Sequence, residues 1–418
     1  MDSLKATLSF LSAATRVALS GSWRYRAWLV VCALACLPGM WAYWGQLQHG
    51  LVVTGMSDQV SWGAYIANFT YLVGVAAAAV MLVIPSYVFH NEHTKSVVLL
   101  AEALAVAACM MAMLFVFVDL GHPERGWHLI PMLGRLNWPT SLMAWDVIVL
   151  SGYLLFNLVV PFVLLRRRWR GDESPMPWLG AAIGVGIVWA IALHTVTAFL
   201  FSANAARPFW HTALLGPRFL TSAFASGPAL LLLAFRVVKD VGGFPVPRQV
   251  FRFLAVVVAV ALQVNLVMLG AELFTEFYAP TEHGASASYL FLGHEGHARL
   301  VPWIYTAAGM QLAAMVLLIA PAWNDRLRNI LLACALCVVG VWIEKGLGLI
   351  VPGFIPTPIG EVLEYVPTWT ETVLSFSIWA FGVLVFTLLA KPAIAIQLGT
   401  LRSPSAPVPA PPADGETP

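Results

Sequence analysis

Residues Val97 to Val118 read VVLLAEALAVAACMMAMLFVFV and pass directly into Asp119-Leu-Gly-His122-Pro-Glu124-Arg125-Gly-Trp127-His128. The first stretch carries one charge, Glu102, and has the length of about 20 apolar residues that takes a helix across a bilayer core. The second stretch turns polar at once, so the helix leaves the hydrocarbon at Asp119. A further run, Trp138-Pro139-Thr-Ser-Leu-Met-Ala-Trp145-Asp146, carries a carboxylate into the start of the next apolar segment. Charge in or beside lipid is expensive; such residues face a protein interior or a wet cavity and mark an ion, proton or ligand path.

The same apolar signature occurs ten times: Trp28 to Leu47, Val60 to Phe89, Val97 to Val118, Leu142 to Leu165, Leu179 to Phe201, Phe219 to Val238, Phe251 to Phe274, Trp303 to Ala322, Ile330 to Ile350 and Val373 to Leu389. Of the 418 residues, 60% are hydrophobic and 11% charged, where a soluble domain has about a quarter charged. The chain therefore reads as an all-α integral membrane protein with ten transmembrane helices. Short cytoplasmic loops carry an excess of Lys and Arg. With ten spans, one face receives seventeen basic residues, among them Lys95, Arg166 to Arg168, Arg170, Arg248 and Arg252, and the other only Arg125, Arg135, Arg207, Arg218 and Arg299. Both termini then lie in the cytoplasm, and an odd helix count would mix the two sets.

Pro38, Met40, Trp41 and Trp44 make a poor small-residue cleavage site, so the first span reads as a retained helix rather than a secretory signal. Ahead of it, Leu4, Leu8, Leu11 and Val17 have near-helical spacing beside Lys5 and Arg16, the pattern of an interfacial amphipathic helix or of a frayed tail. The Pro-, Ala- and Ser-rich tail from Ser403 cannot bury a core and reads as disordered.

Cys32, Cys36, Cys109, Cys334 and Cys337 all fall inside apolar spans. The Cys334-x-x-Cys337 pair lacks a second pair, where iron–sulfur clusters and structural zinc usually take four ligands. Only His194 lies well within a span, which argues against a bis-histidine haem. Gly293-His294-Glu295-Gly296-His297 is not HExxH, and reads as a polar loop.

With this orientation nearly every ionisable group within a span lies toward the outer face, Glu102 being the main exception. Helix–helix hydrogen bonds alone would not be one-sided; a cavity opening near that face would be. Asn68, Asp119, His122 and Asp146 offer an amide, carboxylates and an imidazole near several aromatics. Quinone chemistry needs such a set, because two protons move with two electrons and each quinone oxygen wants an acid or base. The structural alternative is that loop amides satisfy Asp119 and His122 and that Asp146 pairs with Arg125 or Arg135. His194, Glu272, Glu344 and Lys345 form a second set, an ion pair or one end of a proton path. Lys345 points about 100° around the helix from Glu344, so Glu344 is expected to pair with His194 or Arg218.

Val118-Asp119-Leu-Gly-His122-Pro-Glu-Arg125-Gly-Trp127, with Met143-Ala-Trp145-Asp146-Val and Gly152-Tyr153, resembles the NrfD/polysulfide reductase family of membrane subunits. The likeness continues through His194-Thr-Val-Thr197, Ala206-Arg207-Pro208-Phe209-Trp210, Pro217-Arg218-Phe219, Gly270-Ala-Glu272-Leu, Trp342-Ile-Glu344-Lys345-Gly, Gly353 to Glu361 and Glu364-Tyr365-Val-Pro367-Thr-Trp369. It is greatest to the ten-helix, DsrP-like branch, which also holds the membrane subunits of hydrogenase-2 and alternative complex III.

The resemblance implies two four-helix bundles, spans two to five and six to nine, with two peripheral helices. It divides the chain into a cytoplasmic amphipathic segment (1–27), peripheral helix and loop (28–59), first bundle with the quinone site (60–201), second bundle with a possible proton path (202–350), outer loop and last helix (351–390) and disordered cytoplasmic tail (391–418). It implies quinone or quinol as exchangeable substrate, with no haem, iron–sulfur cluster or metal bound by this chain. The implied partners are a ferredoxin-like iron–sulfur subunit on the outer face, cytochrome or molybdopterin-type redox subunits reached through it, and membrane lipid; no nucleic acid is expected. The implied location is the bacterial cytoplasmic (inner) membrane, in a respiratory or sulfur-metabolism complex of which this subunit is not active alone. Carried onto this sequence, Asp119, His122 and Asp146 are the catalytic candidates, Asn68 and Arg125 support quinone binding, and His194, Glu272, Glu344 and Lys345 are the proton-path candidates. The competing classes are a secondary transporter using the same carboxylates, for which no convincing internal repeat is visible, and a purely structural anchor for a redox partner.

Overall fold

Away from water an apolar segment satisfies its backbone most simply as a helix, and helices make up the chain. The computed structural model describes residues 2–130, 133–172, 174–278, 284–357, 359–404 and 406. Among them ten helices are long and apolar enough to cross a membrane: Trp23–His49, Ala64–Val88, Val98–Asp119, Leu142–Arg170, Pro177–Ser202, Leu215–Gly242, Arg248–Tyr278, Val301–Ile319, Leu327–Phe354 and Trp369–Gln397, called spans 1 to 10. The protein is a multi-pass integral membrane protein. The described residues form no strand; His294 and His297 make only an isolated bridge.

Spans 2 and 3 sit at the centre, with 72% and 83% of their apolar windows buried in protein, against 11% for span 1. Consecutive helices pack on one another through spans 2, 3, 4 and 5; span 6 packs on 7 and 9, and span 8 on 9. Span 2 joins the two groups by packing on spans 6 and 9, and span 10 lies against spans 1 and 3. Small residues permit the close approach of spans 2 and 6: a Cβ on Gly227 would lie 3.2 Å from the Gly74 carbonyl oxygen.

Span 2 is not a uniform helix. Ala77–Ala79 form a 3₁₀ turn and Ile84–Val88 a π turn around Pro85. Proline removes one backbone donor, and Ser86 occupies the loosened turn, its Oγ donating to Leu82 O at 2.5 Å and lying 2.8 Å from Thr94 Oγ1.

The N-terminal segment is helical from Asp2 to Leu19. Its Phe10 packs against Phe162 and Trp169 near the end of span 4, while Leu4, Leu8 and Leu11 are exposed. Span 10 runs past the expected boundary at residue 390 to Gln397, carrying Pro392 within an Ala- and Ile-rich last stretch. Ser403 N–H then donates to Trp169 O at 2.8 Å. Residues 405 and 407–418 of the expected tail lie outside the described residues.

The end of span 9 is wedged by Trp210, whose indole donates to Leu349 O at 2.8 Å and packs on Trp62, Phe201 and Phe354. The indole lies against Gly353, where an added Cβ would overlap it. Gly353→Ala is expected to cost about 1–3 kcal/mol through overpacking, read as a lower thermal unfolding midpoint in detergent.

Candidate functional site

Asp146 lies one turn into span 4, whose start is capped by Ser141 Oγ accepting from Ala144 N–H at 3.3 Å. Trp145 Nε1 donates to Pro139 O at 2.8 Å and fixes the entering loop, with the Trp138 and Trp145 rings 5.2 Å apart. The Asp146 side chain is buried and accepts from Thr197 Oγ1 of span 5 at 2.6 Å. Its partner is thus a hydroxyl, and neither Arg125 nor Arg135 pairs with it.

Asp119 ends span 3 with its Oδ1 buried and without a hydrogen-bond partner. Next to it Val118 O accepts from Gln46 Nε2 at 2.6 Å, and Gln46 Oε1 accepts from Tyr65 OH at 2.8 Å, so spans 1, 2 and 3 meet through polar groups. Asp119 also interacts electrostatically with Glu371. Glu371 is fully buried at the start of span 10. It accepts from Tyr365 OH, from Gly55 N–H at 2.7 Å and from Thr368 N–H at 2.9 Å, and completes a capping box with Thr368. Tyr365 OH in turn accepts from Ala64 N–H at 2.7 Å. Burial, reinforced by the Glu371 carboxylate, pushes the Tyr365 phenol well above its usual range. One carboxylate therefore clamps the loops before span 2 and before span 10.

His122 and Arg125 are exposed in the loop after span 3. His122 Nδ1 lies 2.8 Å from Glu124 Oε1. Glu124 is held below the ordinary carboxylate range by its own backbone and the His122 ring. Asn68 is committed elsewhere. Its Oδ1 accepts from Trp342 Nε1 at 3.1 Å and Trp379 Nε1 at 2.9 Å, and its Nδ2 donates to Ala64 O at 2.8 Å. The first set thus comprises a buried Asp146, a half-buried Asp119, a surface His122–Glu124 pair beside Arg125, and an Asn68 that pins spans 2, 9 and 10.

The second set converges on Arg218 of span 6. Its guanidinium binds Glu272 of span 7 and, at 2.6 Å, Glu344 of span 9. Glu344 Oε2 also accepts from Gln311 Nε2 at 2.7 Å and Asn265 Nδ2 at 3.1 Å. Lys345 Nζ is buried without a hydrogen-bond partner, 5.5 Å from the centre of the Phe219 ring. Of the two partners expected for Glu344, Arg218 is the one present. His194 stands apart: its Nδ1 lies 2.8 Å from Ala190 O and its Nε2 faces the Val73 and Gly74 carbonyls without a hydrogen bond.

A small cavity opens beside this cluster, lined by Arg218, Glu272, Glu276, Glu344 and Lys345 with apolar walls from Phe209, Leu269 and Phe291. A second, smaller one lies between spans 2, 6 and 9 and is lined by Thr70, Tyr71, Gly74, Ser222, Ser226 and Lys345. Lys345 borders both. The five cysteines are free thiols, and no group of three or more potential metal ligands occurs among the described residues.

Comparison with known proteins places the chain. The profile of the polysulphide reductase NrfD family matches residues 52–356, and the chain belongs to that family. It is 27% identical, over 79% of its length and 77% of the relative's, to a Halobacterium salinarum protein provisionally named as a dimethyl sulfoxide reductase membrane subunit. It is 25% identical to the Hdr-like menaquinol oxidoreductase integral membrane subunit of Archaeoglobus fulgidus, over 89% of this chain and 95% of the other. It is 22% identical to the menaquinone reductase integral membrane subunit of Nitratidesulfovibrio vulgaris, over 87% and 90%.

Glu371, Gln46, Gln311 and Tyr365 are functional-site neighbours that the sequence reading does not single out. Glu371 carries a usable signal, the Thr368-x-x-Glu371 capping pattern ahead of an apolar run. Tyr365 stands in the quoted Glu364-to-Trp369 stretch without a role assigned to it, and Gln46 and Gln311 carry no signal, since their partners lie on other helices. Arg218→Ala would leave two buried carboxylates without their cation and is expected to destabilise the protein by about 3–5 kcal/mol. Thermal unfolding in detergent reads this directly; a midpoint equal to wild type would mean that solvent, not Arg218, compensates Glu272 and Glu344.

Proposed function

We propose that this chain is the quinone-reactive membrane subunit of a multi-subunit respiratory or sulfur-metabolism oxidoreductase. In this reading it exchanges electrons between quinone in the lipid and a ferredoxin-like iron–sulfur partner near the outer membrane face, and binds no haem, cluster or metal of its own. The protein sits in the bacterial cytoplasmic membrane with both termini cytoplasmic, and the basic residues support that orientation. The observation that carries the proposal is Asp146: a buried carboxylate near the membrane surface that accepts from the Thr197 hydroxyl, beside an aromatic pair, in a chain of the NrfD family. Two of the relatives are named for menaquinol oxidation and menaquinone reduction.

Oxidising a quinol releases two electrons and two protons. Asp146 accepts the proton of one quinol hydroxyl while Thr197 holds the carboxylate in place, the other hydroxyl gives its proton to water, and the two electrons pass to the partner. Asp119, with an unpartnered oxygen, and the exposed His122–Glu124 pair offer the proton a way to water. Arg125 sits on the same loop, where its charge favours an anionic quinone oxygen. Quinone reduction runs the same transfers backward. Asn68 serves this site indirectly, by positioning span 2. His194, Glu272, Glu344 and Lys345 form the path for a coupled proton, with Arg218 holding its two carboxylates.

In the complex purified through a tag on this chain, Asp146→Asn is expected to lower quinol-linked turnover by about 100-fold or more, the contribution of a positioned acid–base group, with partner subunits still copurifying. Unchanged turnover would reduce the chain to a structural anchor. The orientation has its own test. Leu133, exposed on the loop between spans 3 and 4, is changed to cysteine (Leu133→Cys) and treated in intact cells or spheroplasts with a membrane-impermeant maleimide. Labelling from outside is expected, and labelling only after lysis would invert the topology and displace the proposed site.

A further inference from the structure

Glu102 is a buried carboxylate, deep within a span, that neither site uses. It lies in the second turn of span 3, whose other end is Asp119; seventeen residues of helix put the two about 25 Å apart. The side chain is 5% exposed and its Oε2 has no hydrogen-bond partner. It lines a small cavity together with Tyr87, Tyr153 and Asn157, between apolar walls that include Val83 and Ile183. The titratable groups facing it are the phenols of Tyr87 on span 2 and Tyr153 on span 4; the lining residues of span 5 are apolar. No cationic side chain is among the residues that line this cavity.

Two features make this a place for water. Ala79 belongs to the 3₁₀ turn and Tyr87 to the π turn of span 2, with Val80 and Val83 on the single α-helical turn between them, and irregular backbone at membrane depth is tolerated where it is buried in protein or lines a wet cavity. A buried carboxyl, two phenols and an amide also supply the two to four polar partners that a buried water needs. Span 2 lines two cavities. Thr70, Tyr71 and Gly74 line the middle cavity, which shares Lys345 with the cavity at Arg218, and Ala79, Val80, Val83 and Tyr87 line the one at Glu102. His194 faces span 2 at Val73 and Gly74, the latter a lining residue of the middle cavity.

We propose that Glu102 is a proton-loading site, reached by water from the membrane face opposite Asp146, and that it feeds the path ending at the Arg218 cluster. In the loading step the Glu102 carboxylate takes a proton from hydronium and returns water; in the next it passes that proton through water toward the middle cavity and is a carboxylate again. The unpaired charge is the costly form in such surroundings, so loading and unloading alternate only when a following acceptor is free. This inference rests on the proton coupling proposed above.

The test uses the assembled complex in proteoliposomes, driven by a decyl-chain quinol or by the reverse reaction, with a pH-sensitive dye on each side. Wild type is expected to take up protons from the face on which Glu102 opens. Glu102→Gln should slow that uptake by about 100-fold, the loss of one proton-transfer group, and keep electron transfer in the presence of an uncoupler; Glu102→Asp should recover part of it. Val83→Phe leaves the carboxyl in place and fills the cavity, so it should slow uptake as well, and it serves if Glu102→Gln fails to assemble. Normal uptake in either variant overturns the Glu102 proposal alone. No uptake in wild type overturns the proton coupling as a whole and leaves the Asp146 result untouched.

Discussion

Span 2 has almost no face left for lipid, and that constraint organises the rest. A helix surrounded by other helices satisfies most of its polar side chains from within the protein, since lipid offers them no partner. Asn68 meets this demand by using its oxygen for two indoles from spans 9 and 10 and its nitrogen for its own helix. Thr70 does so by donating to Lys345 O at 2.9 Å. The amide and hydroxyl thereby fix where span 9 lies against span 2, and with it the depth of Glu344 and Lys345.

The same centrality explains why polar groups from both helix sets are connected. Spans 3 and 6, both packed on span 2, carry Asp119 and Arg218, and the loops that lead into spans 2 and 10 close on Glu371. Association of helices in lipid has no hydrophobic drive and depends on packing and interhelical hydrogen bonds. A buried carboxylate that accepts from two loops and a phenol is therefore a structural clamp first. Its position near Asp119 also sets the field in which that carboxylate works.

The helices are legible in the sequence because their signal is length and apolarity, which do not depend on tertiary contacts. Their ends are less so. Hydropathy puts span 10 at Val373 to Leu389, whereas it runs from Trp369 to Gln397, since hydropathy sees the hydrocarbon core and not the polar turns that carry a helix into the interface. Of the candidate residues, sequence identifies Asp146 as a carboxylate inside a span and leaves Glu344 with two expected partners, His194 or Arg218, of which the fold supplies Arg218. It groups His122 with Asp146 by proximity along the chain, whereas the loop holds the imidazole at the surface with Glu124. It assigns Asn68 to a ligand-binding role because an intramembrane amide is rare; that two tryptophans from distant helices converge on it has no trace in local sequence.

The two carboxylate sites differ in how their charge is balanced. Around Arg218 two cations, Arg218 and Lys345, stand among the carboxylates Glu272, Glu344 and Glu276, with Asn265 and Gln311 filling the remaining acceptor positions of Glu344. Arg218 pairs directly with two of these carboxylates, while Lys345 lacks a hydrogen-bond partner of its own. Asp146 has no such counterweight. A hydroxyl can donate one hydrogen bond to it but cannot neutralise it, and hydrogen bonds to charged groups are worth about 1.5–3 kcal/mol, less than the penalty of several kcal/mol for an unpaired buried ion. In the proposed function this imbalance is what a quinol answers: a substrate that brings a proton to Asp146 supplies what Thr197 cannot.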